Sequence, residues 1–187
     1  MAKVAIVIGA TGLIGKNLVK QLAESDTIKQ VITFTRSAYD FENAKVINHV
    51  IDFANISNYQ HLFQGDMVFS CLGTTLKQAK TRKNQYTVDV EYQLQIAKNC
   101  AENGVEHYLL VSSSGANEHS KNAYLQMKGI LEKQITQLNF AKISVFQPSL
   151  LTGNRLHLRS AELLGALILP LICMIPGLQK YRPIQTL

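Results

Sequence analysis

The hydrophobic positions of this chain switch repeatedly between two rhythms. KVAIVI at Lys3–Ile8 is apolar almost throughout, the pattern of a short strand buried on both faces of a parallel sheet. Leu13, Leu18, Val19 and Leu22 then recur at helical spacing. VITFT (31–35), KVINHV (45–50) and DMVFSCLG from Asp66 predict further strands. Residues 84–102 read as a long helix stopped by Asn103-Gly104, and HYLLVSS as another strand. A helix over 122–138 and a strand in AKISVFQP, closed by Pro148, complete the series. Strand–helix alternation predicts an α/β fold: a doubly wound parallel sheet of three layers in a single domain. Right-handed crossovers then line the strand ends along one edge, where open α/β sheets bind ligands.

Composition narrows the setting. The chain has 187 residues, 47% hydrophobic and 17% charged, enough for a full core and without the low hydrophobicity of disorder. Cys71, Cys100 and Cys173 lie far apart with no CxxC, which predicts reduced core thiols and a cytoplasmic protein. The N-terminal apolar run is cut short by glycines, so no signal peptide is expected there. The most apolar stretch, 163–178, falls short of the roughly 20 residues of a spanning helix. Pro170 and Pro176 interrupt it as well, so no membrane span is expected. It reads as a buried or pocket-covering segment, and residues 149–187 as the substrate-side cover. The five histidines show no ligand spacing, so no metal site is predicted.

Charge raises one further question. A net charge of +6 and KQAKTRK, with Lys77, Lys80, Arg82 and Lys83, suggest nucleic acid. Few aromatics accompany that run, and it reads better as a solvated loop or a positive field for a polyanionic cofactor.

The chemistry begins at GATGLIG. Gly9, Gly12 and Gly15 stand between the first strand and the first helix, spaced GxxGxxG rather than GxGxxG. Gly9 suits a tight turn, Gly12 suits close approach of a pyrophosphate, and Gly15 lets the helix pack near the sheet. The N–H groups at the helix opening favour phosphate. The plainer alternative is a purely structural turn. After the second strand an NAD site would offer Asp or Glu to the ribose; here stand Thr35, Arg36 and Ser37. A guanidinium suits the extra phosphate of NADP, although Asp40 remains a ribose acceptor that would serve NAD.

Tyr124 and Lys128 in YLQMK are four apart and share a helix face. A phenol titrates ordinarily near 10, and the Lys128 ammonium one turn away is expected to favour its ionised form and to hydrogen-bond a cofactor ribose. Upstream, HYLLVSS runs into Ser112, Ser113 and Ser114, any of which would orient a substrate oxygen beside the phenol.

GATGLIG, TFTRS, CLGTT, VDVEY, VSSSGAN, YLQMKG and VFQPSLLTG together resemble the atypical short-chain dehydrogenase/reductases. The subgroup is the nucleoside-diphosphate-sugar-epimerase-like one, which includes the Tat-interacting-protein-type oxidoreductases. The resemblance implies that Gly9, Thr11, Gly12, Leu13 and Ile14 line the pyrophosphate and that Arg36 holds the adenosine phosphate. It implies that Asp52 and Phe53 border the adenine and that Cys71, Leu72 and Gly73 pass under the middle of the cofactor. Tyr124 and Lys128 would form the proton-transfer pair, with Ser113 or Ser114 beside them. Pro148, Ser149 and Leu150 would sit against the nicotinamide. Relatives usually continue past YRPIQTL with another strand and helix, so the substrate-side cover is expected to be short at its C-terminal end.

The leading expectation is an NADPH-dependent reductase of a small carbonyl compound, with Tyr124 as proton donor. The alternative is a non-catalytic NADP(H)-binding sensor that acts through a protein partner.

Overall fold

The computed structural model describes residues 2–148, so Ser149, Leu150, Cys173 and the apolar stretch 163–178 lie outside the described residues. Six parallel strands form one sheet: β1 (Lys3–Ile8), β2 (Ile28–Thr35), β3 (Val46–Val50), β4 (Met67–Ser70), β5 (His107–Val111) and β6 (Lys142–Phe146). Their order across the sheet is β3-β2-β1-β4-β5-β6. Chain progression therefore reverses between β1 and β4, and this is the Rossmann arrangement the strand–helix alternation predicts.

Strand period decides what each face buries. In β1, Ala5 and Val7 point into one core cluster, whereas Ile6 and Ile8 point into the other. That is why the run is apolar at nearly every position. Helix α1 (Leu13–Glu24) covers the first face with Leu18, Val19 and Leu22. The opposite face receives a 3₁₀ helix (Phe53–Leu62), α4 (Tyr92–Glu102) and α5 (Ala123–Ile135), which bury Phe53, Ile56, Ile96, Cys100, Leu131 and Ile135. Helices on both sides of the sheet make three layers.

Two elements differ from the expectation. The 84–102 helix begins earlier, with α3 (Arg82–Tyr86), reached from a short α2 (Leu76–Ala79). The Thr81 hydroxyl caps α3 by accepting from the Asn84 N–H at 3.1 Å. Between α3 and α4 the helix widens into a π turn over Thr87–Glu91, which carries Asp89 and Val90 into the interior. Such turns insert one residue into an otherwise regular helix and leave no signature in apolar spacing. The 3₁₀ helix was also not anticipated, since its apolar residues follow no clean helical stripe.

At the strand edge away from the glycine turn, His107 accepts or donates a hydrogen bond at 3.0 Å with the Ser144 hydroxyl. Burial, together with the positive charges of Lys142 and Lys3, pushes its pKa down to about 4 from its ordinary 6.5. A histidine held neutral in the fold contributes stability above its unfolded pKa, and that stability is lost as pH falls through the folded value. Thermal melts should therefore show a loss of stability between about pH 6.5 and 4 that His107→Gln reduces. Identical pH dependence in the two proteins would contradict this.

Candidate functional site

The glycine turn is built from backbone contacts. Gly9 has φ +76°, and a Cβ there would lie 2.6 Å from the carbonyl carbon and oxygen of Cys71 and from the Leu72 nitrogen. A side chain at Gly15 would collide with the Gly9 carbonyl oxygen and sit 2.8 Å from the Ala10 Cα. Gly15 thus admits the turn itself rather than the sheet. Gly12 donates its N–H to the Gly9 carbonyl at 3.0 Å and stands at the N-cap of α1. No side chain caps this helix, so the donors of its first turn are left to an external acceptor.

The N-cap end of α1, at Gly12, borders a cleft of about 560 Å³. Gly9, Thr11, Gly12, Arg36, Phe53, Cys71, Leu72 and Gly73 line it, as the sequence reading placed them. Thr35 and Arg36 come from the end of β2, and Cys71 and Leu72 from the end of β4, so the cleft follows the strand ends across the reversal point. The sequence reading missed Thr74, Gln78, Asn84, Val88 and Tyr92, which close the other wall.

Three expected residues sit differently. The Leu13 side chain is exposed, and that of Ile14 lines a small apolar crevice with Leu18, Phe69 and Phe146. Neither side chain lines the cleft; what these two positions can offer a ligand is backbone N–H. The Asp52 carboxylate is engaged in capping the 3₁₀ helix, accepting from the Ala54 N–H at 2.9 Å and from the Asn55 amide at 2.6 Å. Those bonds hold its pKa below the ordinary value.

A second pocket, of about 530 Å³, shares Gly73, Thr74 and Gln78 with the cleft and adds Arg82, Gln85, Tyr124 and Lys128. Helix α5 presents the last two. Asn122 caps that helix by accepting from the Tyr124 and Leu125 N–H groups. Gly129 lies so close to the backbone of Asn117 and Glu118 that the loop after β5 packs directly on α5. Of the three serines, Ser113 is buried beside the Tyr124 phenol and lowers its pKa. Ser112 is buried with no partner for its hydroxyl among the described residues, and Ser114 is exposed. The Ser114 N–H donates to the Pro148 carbonyl at 2.9 Å, tying that loop to the end of β6.

The electrostatics correct one expectation. Burial pushes the Tyr124 pKa up, the neighbouring Ser113 hydroxyl lowers it and the Asp89 charge raises it. Lys128 does not bring the phenol down. Its ammonium is 6.0 Å from the Tyr124 ring centroid, and the residue is only 4% exposed. It donates instead to the Val111 carbonyl at 3.4 Å and is offset by Asp89.

Asp89 is the residue that sequence reasoning overlooked. It is wholly buried, and its Oδ1 accepts from the Thr74 N–H at 2.7 Å. Below it Gln93 donates to the Asp89 carbonyl at 2.8 Å and accepts from the Ser70 hydroxyl at 2.7 Å. The signal lay in the spacing: Gln85, Asp89 and Gln93 are polar residues four apart, continuing the stripe that buries Ile96 and Cys100. Among the described residues no group of three His, Cys, Asp or Glu is placed to hold a metal ion.

Residues 5–158 match the model of the NAD dependent epimerase/dehydratase family. The chain belongs to this family. It is 35% identical to Protein HTATIP2 of Rattus norvegicus over 167 residues, spanning 87% of this chain and 69% of that protein. A fungal relative, Protein FMP52, mitochondrial, of Candida glabrata is 34% identical over 81% of this chain and 65% of its own length. Among solved structures, the Bordetella bronchiseptica enzyme WbmG in complex with NAD superposes with a TM-score of 0.64 at 13% identity. That match covers 77% of this chain and 52% of WbmG. The UDP-glucose 4-epimerase of Thermotoga maritima gives 0.62 at 18% identity, over 77% of this chain and 54% of the epimerase. The chain thus spans about half the length of these two structures, and at such identities they establish the fold alone, a Rossmann arrangement.

The backbone contact at Gly9 makes a direct prediction. Gly9→Ala should lower stability by roughly 2–5 kcal/mol, because left-handed strain adds to overpacking against Cys71. Denaturant unfolding checks this, and a loss within error of zero would refute the turn geometry.

Proposed function

We propose that this chain binds NADP(H) in the cleft and reduces a small carbonyl compound in the adjoining pocket. The observation that carries the reading is the continuity of the two spaces. The cleft runs over Gly73 and Thr74 into the pocket where Ser113, Tyr124 and Lys128 converge.

The residues present fit a dinucleotide. The uncapped first turn of α1 supplies donors for a pyrophosphate, and Gly9 and Gly12 leave room for one. Arg36 stands at the cleft end of β2 in no ion pair among the described residues and suits an adenosine phosphate. Leu72 and Gly73 floor the middle of the cleft, and Pro148 ends the strand beside the serine loop. Ser149 and Leu150 complete the nicotinamide side in this reading, outside the described residues.

When bound, the reduced nicotinamide supplies a hydride. Every other part of the step falls to the chain. Ser113 and Tyr124 hold the substrate carbonyl oxygen, and the Tyr124 phenol gives it a proton as the hydride reaches the carbon, so a carbonyl becomes an alcohol. The raised pKa of Tyr124 suits this direction, because it keeps the phenol protonated at neutral pH. Lys128, whose ammonium lies beside Gly73 where the two spaces join, would hold the cofactor ribose. Arg82, Gln78 and Gln85 line the pocket around the substrate. Cys71 and Cys100 are free thiols pushed up by burial, Cys71 to about 12, which suits a reducing compartment. We place the protein in the cytoplasm; the names of its fungal relatives point to the mitochondrion. No helix among the described residues is long and apolar enough to cross a membrane.

Two measurements test the reading. NADPH should bind more tightly than NADH by roughly tenfold to a hundredfold, and Arg36→Ala should erase the difference. Equal affinities in the unmodified protein would sink the NADP assignment. Tyr124→Phe should leave NADPH affinity nearly unchanged and slow reduction of a responsive aldehyde, ketone or quinone by roughly 10² to 10⁴. A variant as fast as the parent would remove Tyr124 from the chemistry. Tight NADPH binding with no compound of a broad panel reduced would favour a sensor that acts through a protein partner.

A further inference from the structure

We propose that Asp89 is a positioning residue for this site, its buried carboxylate serving as the counter-charge that keeps Lys128 cationic beneath Gly73. Its consequence for turnover rests on the reductase reading; the charge pairing does not.

A wholly buried carboxylate is expensive unless charge and hydrogen bonds compensate it. Asp89 is 0% exposed. Its Oδ1 accepts from the N–H of Thr74, whose own carbonyl accepts from the Gln85 amide at 3.4 Å, while Oδ2 has no hydrogen-bond partner among the described residues. Lys128 is likewise buried, and its ammonium makes one long hydrogen bond, at 3.4 Å to the Val111 carbonyl. Each has an unmet need that the other's charge answers. Both flank the same spot: a Cβ added at Gly73 would lie 3.6 Å from Asp89 Oδ1 and 4.0 Å from Lys128 Nζ.

The other titratable groups nearby do not supply that charge. Cys71, at the end of β4, is a thiol pushed up to about 12 and stays neutral. Tyr124, on α5, has its pKa raised and is neutral as well. Glu132, one turn along α5, is only half-buried and accepts from the Gln147 amide at 3.0 Å. Burial pulls the Lys128 pKa below its ordinary value, and Asp89 opposes that pull more strongly than Cys71 or Glu132 does. A neutral asparagine would accept from the Thr74 N–H equally well, so hydrogen bonding alone does not call for an acid here. The charge does. Through Thr74 the same carboxylate also holds the loop that floors both pockets, so the ammonium and the floor share one anchor.

The test uses the full chain without cofactor or substrate. Lysines are labelled with ¹³C at Cε, and Lys128→Arg identifies the Lys128 resonance. Asp89→Asn should move the Lys128 titration midpoint down by at least about one pH unit, a tenfold change in its proton affinity, because burial then acts unopposed. Melting temperature and Thr74 amide protection should remain near those of the parent. An unmoved midpoint overturns the proposal. Should Asp89→Asn fail to fold, Lys128→Met provides the reciprocal reading. The Asp89 carboxyl midpoint should then rise by at least about one unit, and an unchanged one overturns the pairing. Where carbonyl reduction is observed, its alkaline limb should fall with the Lys128 midpoint in Asp89→Asn. A limb that stays while the midpoint moves would count against the part given to Lys128 in the reaction and would leave the pairing standing.

Discussion

Backbone packs on backbone where the β1–α1 turn passes the end of β4, and the site is arranged around that contact. Gly9, at φ +76°, lies against the Cys71–Leu72 peptide, and Gly15 lies against the Gly9 carbonyl. No L side chain fits either place without moving main chain. Because β1 and β4 are neighbours while their crossovers go to opposite faces, the turn after each strand diverges and leaves a crevice between them. The same contact that closes the core therefore opens the cleft. It also aims the uncapped end of α1 into it, so a feature that would be a defect in a buried helix becomes a set of donors for a ligand.

The second half of the site depends on polar groups that the core would otherwise reject. Ser70, Gln93 and Asp89 are all buried and hydrogen-bonded in sequence from β4 to the π turn. Asp89 then reaches the Thr74 N–H and the neighbourhood of Lys128. This path joins the β4 end, the widened helix and α5, the three elements that carry the floor, the buried acid and the Tyr124–Lys128 pair. A buried network of this kind is tolerated only when nearly satisfied. Asp89 Oδ1 and the thinly bonded ammonium of Lys128 both lie beside Gly73, at the floor of the two pockets.

Most of the fold was legible in the sequence because burial on both faces of a parallel strand leaves little freedom in composition. KVAIVI, VITFT and HYLLVSS announce central strands, and the switch to helical spacing at Leu13 announces a crossover. The glycine turn, Arg36, Tyr124 and Lys128 were legible for a related reason, since each is a residue type that a particular geometry demands. The family resemblance implies that Asp52 borders the adenine, and the structure adds that its carboxylate is bonded to Ala54 and Asn55.

What the sequence determined by itself is local: element type, the order of elements, the turn that needs glycine and the helix face shared by Tyr124 and Lys128. What tertiary structure decided is which groups from distant elements meet. The chain offers Ser112, Ser113 and Ser114 in a row, and only the packing of the β5 loop on α5 puts Ser113 against the phenol. Spacing predicts that Lys128 lowers the Tyr124 pKa, yet burial and the Asp89 charge raise it, because desolvation and long-range charge depend on the packed interior. Spacing puts Asp89 in one stripe with Gln85 and Gln93, but only the packed structure shows that this polar stripe is buried and that a π turn carries Asp89 to the Thr74 N–H.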